Sequence, residues 1–287
     1  MTNAPGEAKG AAEVVHKDAL LAPIPDLTAA REAKTGYRDY PIDRNGELFD
    51  EELVNIADYG LAGQAYYSRP NAATGEAVPE VPKALQLRKS LAEKLADINK
   101  RLADPAITKF FGRPVELYIE DGLRAYNLQK QLYDQVFPHL IWQQNPGISD
   151  EQLDAKLRNL IAKPSDDEAR PSPHATGGAA DVTLRYKRAT LGYVRGDEVP
   201  LGHVDGDTSD RVLPDYFEQL ASVSEAFDLA QRNRRAFYAI MTGKVFGIDT
   251  GLQVNPTEFW HWSYGDQMWA KLRGEPAALY GLAGGST

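Results

Sequence analysis

Cysteine is absent from the 287-residue sequence. That single absence removes disulfides, thiolate metal sites and thiol nucleophiles together. Any bound zinc must therefore be held by His, Asp or Glu. Long apolar runs are missing as well. No stretch reaches the roughly 18 apolar residues of a membrane span, and residues 1–30 hold no apolar segment of the kind an export signal needs. The expected compartment is the cytoplasm, with no membrane partner. Positive charge is in deficit: 32 Lys and Arg face 41 Asp and Glu, a formal net charge of −9. Such a balance disfavours phosphate backbones and anionic lipid, so no nucleic-acid partner is expected. Neither His-Glu-x-x-His nor Gly-x-Ser-x-Gly occurs. Those gaps exclude the helical zinc-protease arrangement and the serine elbow.

What remains is an ordinary globular composition, 43% hydrophobic and 25% charged. A chain of this length buries about 75% of its unfolded surface and needs no covalent staples. Residues 1–45 are rich in Ala, Pro and charge and predict a loosely ordered extension, with a short helix around Leu27–Lys34. Residues 46–287 predict a single domain with insertions near 145–170 and 190–212.

Within it, Leu87, Leu91, Leu95, Ile98 and Leu102 form one apolar stripe of helical period, with charged residues opposite. Val115, Leu117 and Ile119 alternate with polar neighbours and predict a half-buried strand ended by Gly122. A helix through Leu128, Leu132 and Val136 is expected to stop at Pro138. Ser149-x-x-Gln152 has the form of a capping box, and Lys163–Pro173 reads as a polar loop. Val182, Leu184 and Tyr186 predict another strand. Helical pattern runs from about Asp215 to Met241 with a break near Ala230–Asn233. Phe259–Gly265 predicts a strand and Gly265–Leu272 a short last helix. Few strands separated by helices and long loops indicate an α+β fold, a small antiparallel sheet flanked by helices.

Chemistry concentrates in two segments. The first is Ser172-Pro-His174-Ala-Thr-Gly177-Gly178-Ala-Ala-Asp181. His174 and Asp181 are an odd number of residues apart, which on a straight strand sends them to opposite faces. A bend at Gly177 and Gly178 would fold His174 back toward Asp181; read alone, the segment is equally a glycine turn with a capping Asp. The second is Asn255-Pro-Thr-Glu258-Phe-Trp260-His261-Trp-Ser-Tyr264. Entered through a turn at Pro256, Glu258 and His261 can border one cavity. Taken by itself, this stretch reads more readily as an aromatic core strand with a satisfied histidine. Together the segments offer the inventory of a zinc site with an open position, plus an acid suited to general-base work. Of the other histidines, His16 lies in the extension, His139 follows Pro138 at an expected helix end, and His203 lies in a loop.

The two segments resemble the zinc-dependent D-alanyl-D-alanine dipeptidases of the VanX type. Their hallmarks are Ser-x-His-x-x-Gly-x-Ala-x-Asp and a later Glu-x-Trp-His. Tyr118–Arg124, Val199–Gly202 and the Asn233-Arg-Arg stretch resemble three further family segments in the same order, so the likeness spans roughly residues 55–270. The resemblance implies a DD-peptidase/hedgehog-like α+β architecture and one zinc per chain. It implies His174, Asp181 and His261 as zinc ligands, Glu258 as catalytic base and Arg124 as the cation that stabilises the oxyanion. It implies Ser172 as a substrate contact, and Asp205 or Asp207 as candidates for the acid that binds the substrate amine, in a run one position out of register. Ala125 stands where the family usually has Pro. The implied reaction is hydrolysis of a small peptide, D-alanyl-D-alanine first. Rival readings are a cell-wall carboxypeptidase or endopeptidase with the same site, and a zinc-stabilised binding module without catalysis.

Overall fold

The structure, a computed structural model, describes residues 15–69, 78, 81–188 and 197–284. Residues 1–14 of the expected extension and 190–196 of the second expected insertion lie outside the described residues. The helices are α1 Thr28–Lys34, α2 Lys89–Arg101, α3 Pro105–Phe111, α4 Tyr126–Gln131, α5 Phe137–Gln144, α6 Asp150–Leu160, α7 Glu225–Met241 and α8 Gln267–Arg273. The strands are β1 Leu53–Asn55, β2 Ala62–Gly63, β3 Gln86–Arg88, β4 Val115–Asp121, β5 Ala179–Tyr186, β6 Gln253–Asn255 and β7 Glu258–Ser263. No helix among the described residues is long and apolar enough to cross a membrane.

A five-stranded sheet, ordered β2-β4-β5-β7-β6, carries the fold, and β1 pairs with β3 beside it. The mixed α+β class expected from sequence is observed. The sheet departs from a wholly antiparallel one at its edge, where the two-residue β2 runs parallel to β4. Parallel neighbours need a long crossover, and the chain between them includes α2 and α3.

The expected stripe is the centre of the core, though only Leu91, Leu95 and Ile98 lie on α2, with Leu87 in β3 before it and Leu102 just past its end; Leu87, Leu91 and Leu95 are fully buried and Ile98 and Leu102 nearly so. Each such side chain contributes about 1.5–3 kcal/mol by leaving water. That outweighs the few tenths of a kcal/mol that separate most residues in helix propensity, so packing sets this helix. The same buried cluster takes in Ala236, Phe237 and Ile240 of α7 and alternate residues of the sheet: Leu117 and Ile119, Ala180, Val182 and Leu184, and Trp262. The intervening residues, Asp181 and His261 among them, therefore belong to the opposite face. That face is covered too, so β4 is almost wholly buried rather than half-buried.

Three local expectations are corrected. The helix through Leu128 does not end at Pro138: a widened stretch, Leu132–Val136, with i→i+5 bonds, joins α4 to α5. Such a turn changes which carbonyls need an N–H partner, and proline, having none, is tolerated at the start of the next segment. Helix α7 begins at Glu225, capped by Ser224, about ten residues later than expected, and runs unbroken. Its buried Asn233 and Arg234 are fasteners, bonding the carbonyls of Pro200 (2.9 Å) and Leu201 (3.0 Å). Finally, the stretch expected to be loose is packed from residue 15 onward. Leu20, Ile24 and Leu27 are buried in the main core, and Arg31 of α1 forks onto buried Asp215 at 2.8 and 3.1 Å. Isolated apolar residues spaced by prolines give no period, so their burial left no pattern in the sequence. The capping box of Ser149 and Gln152 is formed as expected.

Candidate metal centre and its cavity

His174 sits in a single 3-10 turn, His174–Thr176, that ends at Gly177 in the left-handed region (φ +73°). The next residues enter β5. This bend reverses His174 onto the strand's own Asp181, and a side chain at Gly177 would also meet Leu53 at 2.7 Å. His174 Nδ1 donates to the Gly122 carbonyl at 2.8 Å. Gly122 is held close against β3, where an added Cβ would stand 2.6 Å from the Gln86 carbonyl oxygen.

Across the sheet, Asp181 pairs directly with His261 of β7. Glu258 begins β7 after the Pro256 turn, with a register shift at Asn255. The turn and shift put Glu258 and His261 at one cavity despite their odd spacing.

The three ligand-type groups converge. His174 Nε2 lies 3.1 Å from His261 Nδ1. Asp181 Oδ1 is 3.4 Å from the first and 3.3 Å from the second. All three residues are buried or nearly so, and Asp181 Oδ1 has no hydrogen-bond partner. The outer ring nitrogens are engaged, His174 Nδ1 on Gly122 and His261 Nε2 on Ser263 Oγ at 3.3 Å. With those N–H groups facing outward, the inner nitrogens turn lone pairs toward each other and toward a carboxylate oxygen. Three lone pairs in one buried place repel unless a cation holds them. The donor set fits a metal, and the partners that orient the rings are of the kind that metal-binding histidines use.

Glu258 stands beside this cluster. Its Oε2 accepts from Asn255 Nδ2 at 2.9 Å and lies 3.6 Å from His261 Nδ1. Burial pushes its carboxyl up to about 7, against the pull of His261 and Lys34.

Arg124 is also buried. Its Nε and one terminal nitrogen donate to Asp121 Oδ2 at 2.9 and 2.5 Å, and the other terminal nitrogen to Gln129 Oε1 at 2.9 Å. A bulge in β4 between Ile119 and Asp121 turns Asp121 onto the face of Asp181, its register partner. A guanidinium has five donors; these bonds leave one N–H on each terminal nitrogen. Burial opposes the charge on Arg124, but Asp121 foremost keeps it protonated.

The remaining expected residues line the same cavity with less definite partners. Ser172 is buried and its Oγ accepts from the Ala175 N–H at 3.3 Å, a local turn bond. Asp205 is exposed at the cavity and helps burial to raise the Tyr66 phenol. Asp207 caps a turn, accepting from Ser209 N at 2.9 Å and Oγ at 2.6 Å. His203 lines the cavity but packs its ring on Phe259 and Trp260, away from the cluster. Sequence reasoning missed Lys34, Arg69, Glu120 and Asn255, all of which line this cavity. Glu120 pairs with Arg69 at 2.9 Å, and burial pushes it up to about 7 against that arginine. Only Glu120 and Asn255 lay inside segments that the sequence marked for chemistry or family likeness.

Fold and site together define an α+β protein with a metal-compatible His–Asp–His centre between neighbouring strands. The chain resembles the D-alanyl-D-alanine dipeptidase family: it is 28% identical over 165 residues to a D-alanyl-D-alanine dipeptidase of Synechocystis sp. (strain ATCC 27184 / PCC 6803 / Kazusa), covering 54% of this chain. The chain spans 62% of the length of that curated relative. Among solved structures, the vancomycin-resistance D,D-dipeptidase VanXYg in complex with a D-Ala-D-Ala phosphinate analogue matches at 14% identity with a TM-score of 0.29, over 85% of this chain and 69% of that one. No family model matches.

Proposed function

We propose that this chain is a zinc-dependent hydrolase of a small dipeptide, with D-alanyl-D-alanine as its leading substrate. One observation carries the reading: single ligand atoms of His174, Asp181 and His261 lie within 4.8 Å of one another, with a buried carboxylate, Glu258, beside them. In this reading residues 46–287 form one peptidase domain, with residues 15–45 packed onto it and insertions near 145–170 and 190–212.

His174, Asp181 and His261 would hold the zinc, which when bound supplies a Lewis acid and lowers the pKa of its water. Glu258 accepts the proton of the attacking water. Asn255 holds the carboxylate through Oε2, the oxygen that also lies 3.6 Å from His261 Nδ1. The same carboxyl then gives that proton to the amine that leaves as the peptide bond breaks. Arg124, steadied by Asp121 and Gln129, aims its remaining N–H groups at the carbonyl oxygen as negative charge grows there. Ser172 and Asp205 are the candidate contacts for the two ends of the substrate, with Asp207 second to Asp205 because its carboxylate already caps a turn.

The test is release of free alanine by the zinc-loaded chain from D-Ala-D-Ala, L-Ala-L-Ala and longer cell-wall stem peptides. Preference for the D,D-dipeptide is expected. Cleavage of stems alone would make the protein a cell-wall peptidase. Stoichiometric zinc without turnover on any of them would make it a binding module.

A further inference from the structure

We propose that Lys34 is a positioning residue for Glu258, acting through Asn255. The inference rests on the reading of Glu258 as the base. Lys34 closes α1, upstream of the region that carries the family-like segments. Its ammonium donates to Asn255 Oδ1 at 2.9 Å and to Thr257 Oγ1 at 2.8 Å. Asn255 in turn donates from Nδ2 to Glu258 Oε2 at 2.9 Å.

An ammonium only donates. Its presence therefore fixes which end of the Asn255 amide faces it, and the NH2 end must face Glu258. The Thr257 N–H, 3.2 Å from the same Asn255 oxygen, favours the same orientation. A correctly turned amide then holds Oε2 as an acceptor and so fixes the plane of the carboxylate beside His261. Lys34 itself is fixed at both ends. One turn earlier, Arg31 forks onto Asp215. Beyond Lys34, Thr257 Oγ1 donates to the Asn159 carbonyl at 2.9 Å. The arrangement is an ion-assisted chain of hydrogen bonds ending on one carboxylate oxygen, in a buried setting where such bonds polarise one another.

Lys34→Met in the zinc-loaded full chain is expected to lower kcat by about 10–100-fold, the usual range for an outer partner of a site group. KM and zinc content should stay within about twofold, since the group touched acts on the base rather than on substrate binding. Lys34→Arg, which keeps a cationic donor, should recover most of the loss. Asn255→Leu should cost about as much as Lys34→Met, and the double variant no more than either, because the two residues act in one chain. A readout independent of turnover is the Asn255 side-chain NH2 signal in Asn-labelled protein. It should shift and exchange faster in Lys34→Met and return in Lys34→Arg. An unchanged kcat, or losses that multiply in the double variant, would overturn the proposal. If the unmodified chain hydrolyses no dipeptide, the reading of the site fails, and the NH2 signal alone decides the link from Lys34 to Asn255. An unmoved signal would overturn it.

Discussion

Asp181 and His261 stand directly opposite each other on antiparallel β5 and β7, and the Asp181 Oδ1 to His261 Nδ1 distance is 3.3 Å. Pairing across a ladder makes the ligand geometry a property of the sheet register. A slip of one residue would send one of the two to the helical core. His174 is added to this pair by the turn at Gly177.

The zinc-loaded chain is expected to hold about one zinc. His174→Ala and His261→Ala should each strip it, because two remaining ligands rarely hold zinc tightly. Elemental analysis of dialysed protein measures this; full occupancy in the double variant would remove the site.

Glu258→Ala should keep the metal and lose on the order of 10²–10⁴ in rate, the range for a positioned proton-transfer group. Zinc content and kcat, measured on the same preparation, separate base from ligand. Release of zinc would make Glu258 a ligand.

Arg124→Ala should lower kcat and kcat/KM together, by roughly 10²–10³, as for a lost oxyanion donor. Lysine should rescue only in part, because a point charge lacks the planar fork. Asp121→Asn, which loosens the clamp on that fork, should lower kcat in the same direction but less. A rise in KM at constant kcat would instead assign Arg124 to ground-state binding of a substrate carboxylate.

His203 gives a prediction about pH. Burial first, then Arg234, pushes its imidazole down to about 4 from 6.5. Below 6.5 the unfolded chain takes up a proton that the folded chain refuses until about 4. Stability is therefore lost as pH falls through that window. His203→Phe removes this term, so its melting temperature relative to the unsubstituted protein should rise from pH 7 to pH 5. A difference that does not change with pH would contradict the assignment.

The parts of the fold that were legible are those with enough residues to show a period. The α2 stripe and the alternation in β4 and β5 each repeat at least three times. Strands β1, β2, β3 and β6 are only two or three residues long, too short for alternation to register. The bend that brings His174 to Asp181 was legible because glycine marks positive φ locally. Lys34 was not, because nothing near it in sequence bonds it: its partners are Asn255 and Thr257, 221 and 223 positions away. The packing of Leu20, Ile24 and Leu27 was hidden for the same reason. Asp207 illustrates the reverse case, an acid that the family resemblance offered as a substrate contact but whose oxygen closes a turn with Ser209.

The widened stretch Leu132–Val136 bears on how this cavity can change by descent. Val136, Phe137 and Leu140 line the cavity from there onward. A widened turn spends one extra residue on nearly the same advance around the axis, so removing one residue from the stretch would restore i→i+4 bonding and leave everything after it facing as before. Phe137 and Leu140 would keep their place at the cavity, and the strands bearing His261 and Asp181 would stay in register. A one-codon deletion here would thus spare both the wall that a substrate meets and the metal-binding face, so the length of this helix can drift without touching specificity or chemistry.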